Sequence, residues 1–181
     1  PNGTEGQVYH DILIDALTYD DDNGNITDGT PHFAYIVTAF AAHGIYLLTN
    51  TTMQHAPPAT IAAGTPYTIN TNAISDFPAF LGDVRMIYRI KGSTAYDTIL
   101  MTKSGSNYTC QFPSATAGTV YEYIFALYDF SNVLSVFAPL NATFTNGSTK
   151  RNVPYYLLVG YTSYFNEPFD TISSSTPGWT I

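Results

Sequence analysis

The chain has 181 residues, a formal net charge of −8 and only 11% charged residues, with six Lys or Arg against fourteen Asp or Glu. Six basic residues cannot build the positive patch that nucleic acid or anionic lipid requires, so both are excluded as partners and cations are the natural complement. No apolar run approaches the ~20 residues of a membrane span, which excludes insertion as a helix.

The first element is an amphipathic helix over Gly6–Leu17, where Val8, Ile12, Leu13, Ala16 and Leu17 recur at helical spacing. An acidic and amide-rich loop, Tyr19-Asp-Asp-Asp-Asn-Gly-Asn-Ile-Thr-Asp-Gly-Thr-Pro-His32, ends it. A second helix opens at Pro31, with Asp28 or Thr30 available as cap. Phe33, Ile36, Val37, Phe40 and Ala41 give it one apolar face, and Gly44 stops it where positive φ is cheap.

Beyond Tyr46 the periodicity changes from helical to alternating. Ala56-Pro-Pro-Ala59 reads as a stiff, extended linker. Strands are expected at Tyr67–Ile74, Val84–Ile90, Asp97–Thr102, Tyr108–Phe112, Val120–Tyr128 and Val133–Phe137, with Gly, Ser, Asn and Asp clusters between them. Short strands at regular spacing point to a β-sandwich. Thr143–Arg151 reads as a second linker, Val153–Tyr161 as a further strand, and the chain closes in a Ser/Thr/Pro-rich stretch containing Trp179. The expected organisation is mainly β with an N-terminal helix–loop–helix: a helical piece over 1–55, a sandwich over 56–146, and the start of a further β module over 147–181.

Cys110 is the only cysteine, so no internal disulfide can form. Its place in the alternating run Tyr108-Thr-Cys-Gln-Phe112 predicts a buried thiol rather than a nucleophile. Asn-x-Ser/Thr triplets begin at Asn2, Asn25, Asn50, Asn107, Asn141 and Asn146, acceptors for N-glycans in a chain secreted by a glycosylating cell. With Pro1 in place of Met and no signal peptide, the chain reads as a mature or processed product of extracellular or cell-surface location.

The loop offers Asp21, Asn23 and Asn25 at alternating positions, then the Thr27 carbonyl and Asp28, a set of hard oxygen donors suited to Ca²⁺. It departs from an EF-hand, since Ile26 stands where Gly is needed and His32 where a bidentate Glu belongs. The alternative is an acidic turn capping two helices. His32 and His43, eleven residues apart on a helix, lie about 16 Å from one another and cannot share an ion. Tyr155, Tyr156, Tyr161, Tyr164, Phe165 and Phe169 suit either a sugar-stacking platform or cross-strand core, with core the commoner use. The strand Val153–Tyr161 suits either intramolecular pairing or donation to the sheet edge of another subunit.

The Asp-rich segment with Gly29-Thr-Pro-His32, followed by Ile36-Val-Thr-Ala-Phe-Ala-Ala-His-Gly44, resembles the C-terminal end of secreted gluzincin zinc metallopeptidases of the fungalysin-like kind. The segments Val84–Ile90, Ile99–Thr102, Tyr108–Pro113 and Val120–Asp129 resemble the immunoglobulin/fibronectin-III-like module that often follows such domains. Phe169-Asp and Thr176-Pro-Gly-Trp-Thr180 resemble the opening of a carbohydrate-binding jelly roll. The first resemblance implies that His32, oriented by Asp28, sits close to peptidase chemistry. The chain departs from that family in lacking His-Glu-x-x-His, the pair that grips zinc, so Zn²⁺ belongs only to an upstream catalytic half. The expected function is therefore a non-catalytic piece of a secreted metallopeptidase-like protein, with the sandwich as spacer or binding module for glycan or peptide. The alternative is a glycosylated structural subunit of a filament or surface layer, self-associating through edge strands.

Overall fold

The computed structural model describes residues 5–140 and 153–162. Two helices, α1 (Glu5–Asp20) and α2 (Phe33–Ala41), precede nine strands: β1 (Thr52–Gln54), β2 (Tyr67–Ile74), β3 (Leu81–Ile90), β4 (Asp97–Leu100), β5 (Thr102–Ser104), β6 (Asn107–Phe112), β7 (Val120–Asp129), β8 (Leu134–Ala138) and β9 (Tyr155–Leu158). One sheet has the order β1-β2-β6-β5; the other has β4-β3-β7-β8, with β9 also on β7. All named pairings are antiparallel. This is the strand order of an immunoglobulin-like sandwich, so the expected fold class is observed.

The alternation in the sequence explains the layers. β6 alternates exposed and buried positions, sending Tyr108, Cys110 and Phe112 inward. β2 sends Ile69, Thr71 and Ala73 inward. From the other sheet come Val84, Met86, Tyr123, Phe125 and Leu127, and rings meet across the gap, with Tyr88 and Phe112 centred 4.8 Å apart. The central strand β7 is buried on both faces. Its outward Ile124 packs with Ile87 and Phe137 in a small separate cluster, and Glu122 pairs with Arg89 at 2.8 Å.

Three features reassign boundaries drawn from sequence alone. Asp97–Thr102 is not one strand: β4 pairs with β3 in one sheet, the chain crosses at Met101, and β5 pairs with β6 in the other. Ala56-Pro-Pro-Ala59 joins two pairings of the same sandwich rather than two domains. β1 lies on β2, whereas Ile61, beyond the prolines, bridges Val159 in parallel beside the other sheet. Paired prolines suit this crossing because they withdraw their N–H groups from any ladder. Finally, the strand expected to open a further module belongs to this sandwich. Ala138 of β8 faces Phe125 and Tyr155 of β9 faces Tyr123, so two positions along β7 are spanned by seventeen in the returning chain. β8 and β9 together fill one edge. The Ser/Thr/Pro-rich end with Trp179 lies outside the described residues.

The helices close one end of the sandwich. Leu13, Leu17, Phe33 and Val37 belong to the same buried cluster as the inter-sheet residues. Phe33 stacks on Phe80 at 4.0 Å and on Phe130 at 4.4 Å, the rings coming from the turns before β3 and after β7. The apolar stripe expected on α1 divides: Leu13 and Leu17 are buried, whereas Val8 and Ile12 are exposed. Gly44 adopts φ +78° just past α2, as its position requires.

Candidate functional site

Asp20, the last residue of α1, organises the loop between the helices. One carboxylate oxygen accepts the Nδ1–H of His32 at 2.6 Å. The other accepts the Thr30 hydroxyl and the His32 backbone N–H, both at 2.7 Å. The hydrogen bond from His32, followed by that from Thr30, holds the Asp20 carboxyl below its ordinary range. His32 is the N-cap residue of α2 and makes no side-chain capping bond, so neither Asp28 nor Thr30 caps the helix as expected. Asp20 supplies the anion there instead.

The aspartate that orients His32 is therefore Asp20, and Asp28 is engaged elsewhere. Asp28 accepts the amide N–H groups of Asn23 at 3.3 Å and Asn25 at 3.1 Å. The side-chain oxygens of those residues in turn accept N–H groups: Asn23 Oδ1 from Asn25 N, and Asn25 Oδ1 from Thr27 N. The Thr27 hydroxyl also donates to Asn25 Oδ1, at 2.6 Å. These are Asx turns, in which short amides satisfy nearby backbone. Asp21 has one buried oxygen with no hydrogen-bond partner among the described residues. In this arrangement Asn23 and Asn25 direct their amide N–H groups at Asp28. Among the described residues there is no group of three or more His, Cys, Asp or Glu that could hold a metal.

The four histidines lie apart. His43 is exposed, and His10 Nε2 lies 3.3 Å from the Leu47 carbonyl. His55 ties the two sheets together. Its Nδ1 lies 2.6 Å from the Asn70 carbonyl, which can only accept, so Nδ1 carries the proton and Nε2 accepts from the Tyr123 hydroxyl at 2.6 Å. Tyr123, Phe125 and Tyr155 pack edge-on around the ring. Burial lowers the His55 pKa and raises that of Tyr123.

Cys110 is buried as expected, 3.8 Å from the Met86 sulfur, and burial pushes its thiol up to about 11. Of the terminal aromatics, Tyr155 faces the core against Tyr123, Tyr156 lies under Lys91, and the Tyr161 hydroxyl donates to the Gly118 carbonyl. Tyr164, Phe165 and Phe169 fall outside the described residues, as do the triplets at Asn2, Asn141 and Asn146. Asn50 and Asn107 are exposed, whereas the Asn25 amide is bound to Asp28.

The feature missed from sequence is the outer face of the β1-β2-β6-β5 sheet. The register sets Gln54, Asn72 and Asn107 directly opposite one another on three adjacent strands, with Asn70 opposite Thr109 and Thr68 opposite Gln111. The period-two sets Thr68-x-Asn70-x-Asn72 and Asn107-x-Thr109-x-Gln111 carried the signal. A concavity of about 390 Å³ opens on this face, lined by Gln54, His55, Asn70, Asn72 and Asn107 among others.

No protein-family model matches the chain, and no curated protein matches it. Among solved structures it is similar to an engineered protein whose crystal structure was determined at 1.98 Å, with 15% identity and a TM-score of 0.39. The match covers 77% of this chain and 30% of that one, so the chain spans less than a third of that protein's length, a likeness too distant to assign a family.

Proposed function

We propose that this chain is a non-catalytic spacer and binding module of a larger secreted protein, an immunoglobulin-like sandwich closed at one end by a helix hairpin. The observation that carries the reading is the Phe33–Phe80–Phe130 stack, which fixes the hairpin to the sandwich and leaves the amide face of the opposite layer uncovered by it. A spacer needs such a junction, because a loosely tethered hairpin would not hold one module at a set angle to the next.

The metallopeptidase context belongs to this proposal through His32. With Nδ1 committed to Asp20, its Nε2 is the nitrogen able to exchange a proton, and the imidazole is exposed. In an assembled peptidase its doubly protonated form would donate from Nε2 to a developing oxyanion; zinc would be held by residues upstream. Calcium enters only at the neighbouring loop. Binding would require Asn23 and Asn25 to turn their carbonyl oxygens inward and give up their bonds to Asp28.

The reading as a filament subunit retains the low share of charged residues and the triplets at Asn50 and Asn107 as its support, although β9, its candidate for donation, is paired with β7 in the same chain. The test is to assay the isolated chain for peptide hydrolysis with Zn²⁺ and Ca²⁺ present, and to follow its mass by sedimentation across concentration. The proposal expects no hydrolysis and a monomer. Hydrolysis abolished by His32→Ala overturns it, and concentration-dependent fibres favour the structural subunit. In the same samples, loop proteolysis that EDTA leaves unchanged assigns Asp20–His32 as a turn closed by its own amides.

A further inference from the structure

We infer that the concavity beside Asn107 is a seat for a neutral saccharide. The inference rests on the binding-module reading and names its ligand. The walls are amides from three strands: Gln54 at the end of β1, Asn70 and Asn72 on β2, and Asn107 at the start of β6. Each primary amide offers donors and an acceptor in one plane, the complement of a sugar hydroxyl, which does both.

Asn72 Oδ1 is buried yet has no hydrogen-bond partner among the described residues. A buried acceptor left unpaired is costly, so turning the Asn72 amide to bring this oxygen to the concavity, where a ligand can donate to it, is favoured. Among the described residues, no Asp, Glu, Lys or Arg lines the concavity. His55, the one titratable side chain there, is engaged through Nδ1 by the Asn70 carbonyl and through Nε2 by the Tyr123 hydroxyl. An ionic ligand would therefore find no countercharge, whereas hydroxyl and acetamido groups find partners on every wall.

Two sources carry this chemistry. One is a glycan on another molecule. The other is the chain's own glycan, since Asn107 is both a wall residue and the acceptor of the triplet Asn107-Tyr-Thr109. The short spacing from acceptor to seat would let the first sugar units fold back onto Gln54 and Asn72.

The experiment has two arms. In the first, the full chain made without glycosylation is titrated with N,N′-diacetylchitobiose while the side-chain amide resonances are followed by NMR. The inference expects shifts confined to Gln54, Asn70, Asn72 and Asn107, and an affinity about tenfold weaker in Asn72→Ala. Gln54→Ala, an exposed edge position, is the second variant should Asn72→Ala fail to fold. In the second arm, the chain secreted from a glycosylating cell is compared with Thr109→Val, which removes the triplet but keeps every wall side chain. A glycan on Asn107 that raises Tm, blocks added disaccharide and loses its stabilising effect in Asn72→Ala identifies the chain's own glycan as the occupant. Disaccharide binding with Asn107 unmodified identifies an external glycan. Absence of amide shifts in the first arm, with a Tm insensitive to Thr109→Val and Asn72→Ala in the second, overturns the inference. Peptide hydrolysis in the isolated chain would instead overturn the underlying non-catalytic reading and leave the saccharide result standing.

Discussion

His55 illustrates how a single side chain can be held neutral by its setting. Its ring bridges the Asn70 carbonyl of one sheet and the Tyr123 hydroxyl of the other, inside a collar of Tyr123, Phe125 and Tyr155. A proton on Nε2 would displace the hydrogen bond from Tyr123 and place a charge among rings. Burial lowers the His55 pKa below its ordinary 6.5, so between the two values the unfolded chain binds a proton that the native chain does not. Stability from this group is full above pH 6.5 and is lost as the pH falls towards the native pKa. The expected outcome is a fall in Tm on acidification below pH 6.5 that is shallower in His55→Phe, measured by thermal melts from pH 7 to 5. An unchanged slope would show that His55 is not the titrating group. Little of this was legible beforehand: His55 sits next to Ala56-Pro-Pro and gives no local sign of Tyr123, sixty-eight residues away. His32 shows the same limit. A carboxylate within four residues, Asp28, was the natural partner by proximity, yet Asp20 wins because the loop doubles back to put the end of α1 beside the start of α2. An acidic residue in the last turn of a helix is disfavoured by the dipole and was the available clue.

Elements were far more legible than partners. Tyr67–Ile74 begins and ends where the alternation does, and β3, β6, β7 and β8 match their expected runs to within a few residues. Period-two burial leaves a strong imprint because one face of each strand must be apolar. What the pattern cannot carry is which sheet a strand joins, hence the split of Asp97–Thr102 and the crossing at Pro57-Pro58. It also could not show that α2 docks through Phe33, since an apolar helix face does not name its contact. The packing of Phe33 against both Phe80 and Phe130, whose rings also meet each other at 5.6 Å, predicts that Phe33→Ala costs about 3–5 kcal/mol, from lost burial and the cavity left beside those rings. Chemical denaturation read by far-UV circular dichroism checks this. A cost below about 1 kcal/mol would mean that the hairpin does not rely on the stack.

At the scale of the molecule, helices and sandwich share one buried cluster that runs from Leu13 and Leu17 through Phe33 and Phe80 to Tyr123 and Leu157. The segments drawn as 1–55, 56–146 and 147–181 contribute to it together: β1 comes from the first, β9 from the third, and both lie on strands of the second. The composition-based divisions followed real changes of texture at Ala56 and Thr143, but a change of texture marks a crossing between layers as readily as a domain border. A core shared by helices and sheets is what the proposed spacer role requires, and the amide face of the β1-β2-β6-β5 sheet lies outside it. The most direct test is native-state hydrogen exchange in low denaturant, comparing amides of α1 and α2 with those of β2 and β7. The account predicts that all four open together with the same free energy, and that Phe33→Ala lowers it for all four alike. Helices that exchange through a separate, lower-energy opening while the sandwich stays protected would contradict it.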